Sequence, residues 1–567
     1  MRMSTDGAGD EDLALQTIAA AAEAGVTVFD TAHAYGGGAA DLGRNERLLA
    51  RALRPSRAHE RARIVTKGGM TRPEGGWVPD GRAKAILSDC EASLTALDGL
   101  PIDLYLLHAP DPRTPWSTSV RALSRLVDQG VVRHVGLANV NRRQLDEAIG
   151  LVDITAVQVA LSVNDDTALR GGVVDRCAEM GIALIAHSPL GGPRRAVSLA
   201  RNSVLADVAE SHDATPAEAA LAWLLELAPV VVAIPGARRP ETARSAARAA
   251  TLRLDAGDRA AIAGAFGRAR PEHAGRARPQ PQENAEVVVV MGIPGAGKSS
   301  VAHEYVDRGY LRLNRDERGG SLRALADALD AELSSGVRRI VLDNTYLTRA
   351  TRSYVVESAR RHRVPARCIW LDTPLAQAQV NLVERLLQRF GSLPAPEELR
   401  ALARREPGVL VPTSQMRALR ELEPPATDEG FAAVEQVHFV RTPPSQHGRV
   451  GVFLAAAALQ HPGWTHALGH TSREAPHLIF DWTPDGTVDA LVARAATVSD
   501  EVSGPVEAAL CTHPAGPPSC WCRPPLPGLP LAFARAHGVD PSRSILIGAG
   551  PSHRTLATTL GARYVAV

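Results

Sequence analysis

Lysine is almost missing from this chain. Of 63 basic residues in 567, only Lys67, Lys84 and Lys298 are lysine. Where nearly every cation is written as arginine, an amine marks a place for chemistry that a permanently charged guanidinium cannot perform. Lys84 has no motif around it and reads as a surface residue. Cysteine is also sparse, with six residues, too few for a disulfide scaffold at this length, although three of them fall within a dozen positions. No run approaches the ~18 apolar residues of a spanning helix. The N-terminal MRMSTDGAGDEDLALQ is acidic and has no apolar stretch, so the expectation is a soluble, cytoplasmic protein without membrane contact. A net charge of +1 removes any global pull toward nucleic acid or membrane. A chain this long exceeds a single core and implies three or four domains.

What is present is organised around Glu286 to Ser300, EVVVVMGIPGAGKSS. Four consecutive valines predict a fully buried strand. It runs directly into Gly292-x-x-x-x-Gly297-Lys298-Ser299, the phosphate-loop spacing in strand-to-helix context. Gly292, Gly295 and Gly297 let backbone N–H groups turn toward a polyphosphate. Lys298 reaches the β and γ phosphates, and the Ser299 hydroxyl, with Ser300 beside it, stands where Mg²⁺ is held. A nucleoside triphosphate is the expected ligand.

From Leu13 onward, helical patterns alternate with short apolar strands at 26–30, 63–66, 102–108, 134–138, 156–159, 183–187 and 230–234. So many β-α repeats predict a parallel (β/α)8-type barrel rather than an open sheet. In a barrel the chemistry belongs at the C-terminal ends of the strands, where Asp30, Lys67, His108, Asn139, Gln158 and His187 fall. Asp30, Tyr35, Lys67 and His108 make a proton-donating set. A lysine beside a phenol favours the phenolate, an aspartate keeps that lysine charged, and a histidine polarises a carbonyl.

The segments FDTAHAYG (29–36), GRNERLL (43–49), IVTKGG (64–69), IDLYLLHAPD (102–111) and GVVRHVGLANV (130–140) resemble the aldo-keto reductases, in the right order over about 250 residues. The resemblance implies Tyr35 as general acid with Asp30, Lys67 and His108 as its partners. It implies NADPH, or NADH, as cofactor and a small carbonyl compound as substrate. Asn139 and Gln158 would hold the carboxamide, and Ser188, Pro189 and Leu190 would line the pyrophosphate. The stretch from Ile234 through Pro235, Gly236 and Ala237 to Arg238 and Arg239 would close over the adenosine, with Arg238 or Arg239 meeting a 2′-phosphate. Three positions depart from the family pattern: Ala138 stands for a serine, His187 for the stacking aromatic, and Ser245-Ala246 for a Glu-Asn pair. The family's first strand would have to come from residues 1–5, so the expectation is a late start and an open seam in the barrel.

Residues 269–285 lack apolar periodicity and read as a tether between a barrel at 1–268 and a phosphate-loop domain at 286–440. Later strands are expected in 311–316, 339–345 and 366–371, with polar residues such as Asp316 and Asp343 at their ends, as in doubly wound folds. Asp316 is placed to take a proton from an attacking hydroxyl, and Asp343 to reach the metal or an arginine. Asn381, Arg385 and Arg389 share one helix face that could fold over a triphosphate. GIPGAGKSS, LNRDERGGS, VLDNTYLTRATRSYVVESARRHRVPARCIWL and EPPATDEGF resemble the kinase domain of polynucleotide kinases. That implies transfer from ATP with Mg²⁺ to a 5′-hydroxyl of DNA or RNA, with Asp316 as base and Lys298, Arg385 and Arg389 stabilising charge.

In the last segment, 441–567, Cys511-x-His513 and Cys520-x-Cys522 match a closed tetrahedral Zn²⁺ site. The loop and the following Ile545 to Gly548 resemble the zinc-bearing phosphatases of the haloacid dehalogenase class. That class needs an Asp-x-Asp motif after its first strand. Taking residues 437–440 as that strand puts Arg441-Thr-Pro-Pro there instead. Asp481 and Asp485, four apart, are read as non-catalytic, and the module as a silent zinc-stabilised fold. The reading is a fused reductase and kinase. Its rival is a nucleic-acid end-processing or sensing factor whose barrel only binds ligand; oligomeric state is left open.

Overall fold

The structure is a computed structural model, described here for residues 10–55, 57–266, 285–439, 448–484 and 486–567. The chain divides into two compact units, Met1–His273 and Ala274–Val567. Residues 1–5, on which the expected first strand falls, and residues 269–284 of the expected tether lie outside the described residues.

In the first unit the strands are β1 (Val28–Asp30), β2 (Arg63–Gly68), a short antiparallel hairpin β3 and β4 (Met70–Thr71 and Val78–Pro79), β5 (Leu104–Leu107), β6 (His134–Ala138), β7 (Ala156–Ala160), β8 (Ala183–His187) and β9 (Val231–Ile234). Seven of them form one parallel sheet in the order β1-β2-β5-β6-β7-β8-β9. No pairing joins β9 to β1 among the described residues, so the sheet is a near-closed barrel. Right-handed β-α-β connections put helices outside and leave the strand ends free on one rim. Inside the barrel Val65, Leu106, Ala138, Ala156 and Ile185 pack together, and a larger apolar layer lies between strands and helices. Full burial of one such Leu or Ile contributes about 1.5–3 kcal/mol. The rim can therefore carry polar groups because the layers beneath it hold the fold.

The second unit holds two parallel sheets. The first consists of β10 (Glu286–Met291), β11 (Leu311–Leu313), β12 (Arg339–Asp343), β13 (Ala366–Asp372) and β14 (Ala433–His438), in the order β11-β12-β10-β13-β14. Val287 to Val290 are fully buried, alternate valines entering separate clusters on the two faces. That is why this strand reads as an unbroken apolar run. The second sheet consists of β15 (Val452–Ala455), β16 (His477–Trp482), β17 (Val506–Cys511), β18 (Ile545–Gly548) and β19 (Arg563–Ala566), in the order β17-β16-β15-β18-β19.

One expectation is corrected here. Residues 433–438 do not open the C-terminal sheet. They are the edge of the phosphate-loop sheet, in register with β13 from Arg367 opposite Ala433 to Asp372 opposite His438. Its alternating, largely exposed residues suit an edge. The centre of the C-terminal sheet instead needs a run apolar on both faces, and Val452-Phe453-Leu454-Ala455 supplies it. Ala456, Ala457 and Ala458 follow that strand.

Candidate functional site

At the barrel rim, Asp30 ends β1, Lys67 lies near the end of β2, and His108 follows β5 directly. The parallel register therefore gathers residues far apart in sequence. Lys67 Nζ donates to Asp30 Oδ1 at 2.7 Å and to the Thr31 carbonyl at 2.6 Å, and lies 3.5 Å from Tyr35 Oη. Burial would lower the Lys67 pKa, but the Asp30 carboxylate and the Tyr35 hydroxyl more than offset it, and the net shift is upward. Gln158 Nε2 donates to the same Asp30 oxygen at 2.7 Å. The Tyr35 ring meets His108 edge-on at 5.8 Å and Trp77 at 6.1 Å.

These groups open on a cavity of about 1050 Å³. Its walls include Asn139, Ser188, Pro189, Leu190, Pro235, Gly236, Arg238 and Arg239, so the predicted cofactor residues are brought together with the predicted proton donor. The volume reaches the upper range of small-molecule sites, room enough for a dinucleotide. Asn139 Nδ2 donates to the His108 carbonyl at 2.9 Å, and Asn139 Oδ1 lies 3.1 Å from His187 Nε2. Ser245, at the adenosine end, donates to Glu218 at 2.8 Å.

In the second unit the loop after β10 is drawn in by side chains. Asn381 Nδ2 donates to the Gly295 carbonyl at 2.8 Å, Gln415 Nε2 to Pro294 at 2.9 Å, and Thr373 Oγ1 to Ala296 at 3.0 Å. Lys298 Nζ donates to the carbonyls of Gly292 and Ile293, both at 3.0 Å. With five successive carbonyls tied, the amides at the start of the helix Lys298–Asp307 are left to face an anion. Gly295 has φ +86°, and a Cβ there would lie 2.3 Å from the Ala378 carbonyl, so only glycine fits. Burial pulls the Lys298 amine down to about 8, aided by the Arg385 charge and opposed by Asp343 and Asp316. Ser299, Ser300 and Asp316 are exposed beside it. Asp343, for which metal and arginine were both open, accepts two bonds from Arg312, at 3.0 and 2.8 Å. Arg389 pairs with Glu406 and the Pro407 carbonyl, because a helix face fixes only the side a residue starts from.

A profile of the Aldo/keto reductase family matches residues 1–265, and one of the AAA domain matches residues 287–407. Probable aldo-keto reductase 1 of Glycine max is 33% identical over 239 residues, 37% of this chain and 67% of that protein. This chain belongs to the aldo/keto reductase family. Aldo-keto reductase str7 of Strobilurus tenacellus is 28% identical over 281 residues, covering 44% of this chain and 80% of that one. Among solved structures, a thermostable aldo-keto reductase in complex with the inhibitor epalrestat is 31% identical. It covers 46% of this chain and 90% of that one, with a TM-score of 0.40.

Beyond the aldo/keto reductase unit, Cys511, His513, Cys520 and Cys522 converge with all four ligand atoms within 4.8 Å of one another. The Cys511 Sγ lies 3.8 Å from Cys520 Sγ and 3.4 Å from Cys522 Sγ, and His513 Nδ1 lies 3.2 Å from Cys522 Sγ. Tetrahedral ligands at about 2.3 Å from a zinc ion would stand about 3.8 Å apart, so the donor set fits. The other three thiols, of Cys90, Cys177 and Cys368, are pushed up to about 12 by burial and are inert. Asp485 lies outside the described residues; Asp481 accepts from the amide of its neighbour Trp482 at 2.8 Å.

Sequence reasoning missed two parts of these sites. Trp77 forms the cavity wall opposite the strands, held by the Arg72 guanidinium 3.7 Å from its ring centroid. A tryptophan in the short β3–β4 loop was the available signal. Gln415 and Thr373 carried none, since each acts through a single contact across the fold.

Proposed function

We propose that the first unit reduces small carbonyl compounds with NADPH. Bound NADPH would supply the hydride that reaches the carbonyl carbon. Tyr35 would give its Oη proton to the carbonyl oxygen, leaving an alcohol, while Lys67 stabilises the phenolate and Asp30 holds Lys67. His108, beside Tyr35, orients the carbonyl oxygen. Asn139 and Gln158 would hold the carboxamide, Ser188, Pro189 and Leu190 the pyrophosphate, and Pro235, Gly236, Arg238 and Arg239 the phosphorylated ribose and adenine. The observation that carries this is the buried Lys67 between Asp30 and Tyr35 on the cavity wall. Quenching of NADPH fluorescence and turnover of a simple aldehyde test it. Turnover unchanged in Tyr35→Phe would refute the assignment.

The second unit is read as an ATP-dependent kinase acting on a 5′-hydroxyl of a nucleic-acid end. The AAA-domain match and the tied phosphate loop support nucleotide binding. Lys298, the helix amides and Arg385 would bind the triphosphate. Ser299 would hold Mg²⁺, and Asp316 would accept the proton of the attacking hydroxyl. Label transfer from ATP to a 5′-hydroxyl oligonucleotide, lost in Asp316→Asn, is the expected result. Transfer only to small alcohols would refute the nucleic-acid substrate. The four-residue cluster is read as structural Zn²⁺ in a haloacid-dehalogenase-like fold, with one metal per chain lost on Cys520→Ser.

A second reading, a barrel that binds ligand without turnover, draws on the contact of Asn139 with His187, which occupies the expected carboxamide ligand. NADPH binding without aldehyde turnover would select it.

A further inference from the structure

The helices Leu375–Phe390, Pro396–Arg405 and Pro412–Glu421 stand between the phosphate loop and the metal cluster. One side meets the loop: Asn381 and Gln415 bond its carbonyls, and the Ala378 carbonyl closes against Gly295. The other side meets the C-terminal module. Val380, Val383, Leu386, Leu387 and Leu399 share one buried cluster with Phe453, Trp521, Leu526, Leu531 and Phe533. Trp521 sits between two of the cluster cysteines. It is 2% exposed, and its indole N–H donates to the Leu410 carbonyl at 2.8 Å, in the turn joining the second and third helices. A Cβ on Gly528, just past the loop, would lie 2.8 Å from Leu393 Cδ1, in the turn joining the first and second.

A loop of this composition, rich in Pro and Gly, has no secondary structure to hold its shape. Cys511, His513, Cys520 and Cys522 would coordinate one cation on both sides of Trp521, which would hold the indole against the Leu410 turn and Gly528 close to the Leu393 turn. We propose that the metal-clamped loop, through Trp521, is the positioning element for the nucleotide site: the metal sets the helices that hold the phosphate loop and so sets affinity for ATP·Mg²⁺. This rests on the phosphate-loop and zinc readings above. It makes the C-terminal module a working part of the kinase rather than an appended one.

The test uses the full chain and a fluorescent ATP analogue with Mg²⁺. Three forms are compared: metal-loaded native protein, native protein stripped by a chelator that is then removed, and Trp521→Ala, with metal content measured in each. Nucleotide affinity is expected to fall at least tenfold in the stripped protein and in Trp521→Ala. NADPH binding by the first unit should stay within twofold in both. Deuterium exchange should accelerate over residues 375–421 and not over β10. Trp521→Phe, which keeps the ring but loses the N–H, should recover most of the affinity. That recovery is not expected if the residue merely contributes to folding. Affinity and exchange unchanged in a chain shown to be metal-free would overturn the proposal. So would unchanged affinity in Trp521→Ala; should the alanine variant not fold, the stripped native protein alone decides. If the native loaded chain binds no nucleotide, the phosphate-loop reading fails; if it carries no metal as isolated, the zinc reading fails. Each takes this proposal with it, and the two outcomes are distinguishable from each other.

Discussion

The ammonium of Lys67 and the carboxylate of Asp30 meet at 2.7 Å with both side chains almost wholly withdrawn from water. A buried pair is tolerated only while both partners are present, because either charge alone is left unsolvated. Lys67→Met and Asp30→Asn are therefore expected to destabilise the first unit by about 3–5 kcal/mol each. Tyr35→Phe should leave stability within about 1 kcal/mol while lowering aldehyde turnover by about 10²–10⁴-fold. Urea unfolding and steady-state kinetics on the same preparations check both.

The same pair has a pH signature. The folded pKa of Lys67 is raised above its ordinary 10.5. The folded chain therefore binds that proton more tightly than the unfolded one. Its contribution is fully present below pH 10.5 and is lost as pH climbs through the folded value. In Asp30→Asn, burial is no longer offset, the folded value drops below the unfolded one, and the slope reverses. Unfolding midpoints at alkaline pH measure this, and parallel profiles for the two proteins would contradict it.

Lys298 behaves in the opposite sense. Its amine sits near 8 without ligand, and a bound triphosphate favours the charged form. Affinity for ATP·Mg²⁺ should decline above pH 8, by up to about tenfold per pH unit, with proton uptake on binding. Calorimetry in buffers of different ionisation enthalpy reads the uptake directly. Lys298→Ala should remove both the affinity and the proton, and affinity flat from neutral to alkaline pH would be inconsistent with this amine on the phosphates.

Asn381 and Arg389 lie on one helix face but differ in consequence. Asn381→Ala removes a bond to the Gly295 carbonyl, worth about 1 kcal/mol, and should weaken nucleotide binding about fivefold. Arg389→Ala breaks exposed contacts with Glu406, Pro407 and the Phe390 ring, so binding should stay within about twofold. Titration with a fluorescent nucleotide separates the two.

Trp77 is expected to govern which carbonyl compounds are reduced. Trp77→Ala should lower kcat/KM for aromatic aldehydes by about tenfold, the scale of one lost aromatic contact. Small aliphatic aldehydes and NADPH affinity should change little. A uniform loss across substrates would instead point to a collapsed hairpin.

The seven strands of the barrel, the strand-loop-helix around Lys298 and the clustered Cys and His residues were all legible along the chain. Each depends on short-range pattern: apolar period, glycine spacing, ligand pairs. The lysine deficit pointed to Lys67 and Lys298, and both amines stand where that reading placed them, one beside a phenol and one at the phosphate loop. The misplaced strand at 437–440 shows the limit, since a short run does not say which of two sheets it joins.

Only the tertiary structure decided that Asp343 pairs with Arg312, that Arg389 turns toward Glu406, that Trp77 closes the cavity and that Trp521 reaches Leu410. Local sequence determines which backbone conformation a segment adopts and which face a side chain starts from. The partner it finds is settled by how elements distant in sequence pack, where desolvation and competing charges weigh every alternative at once.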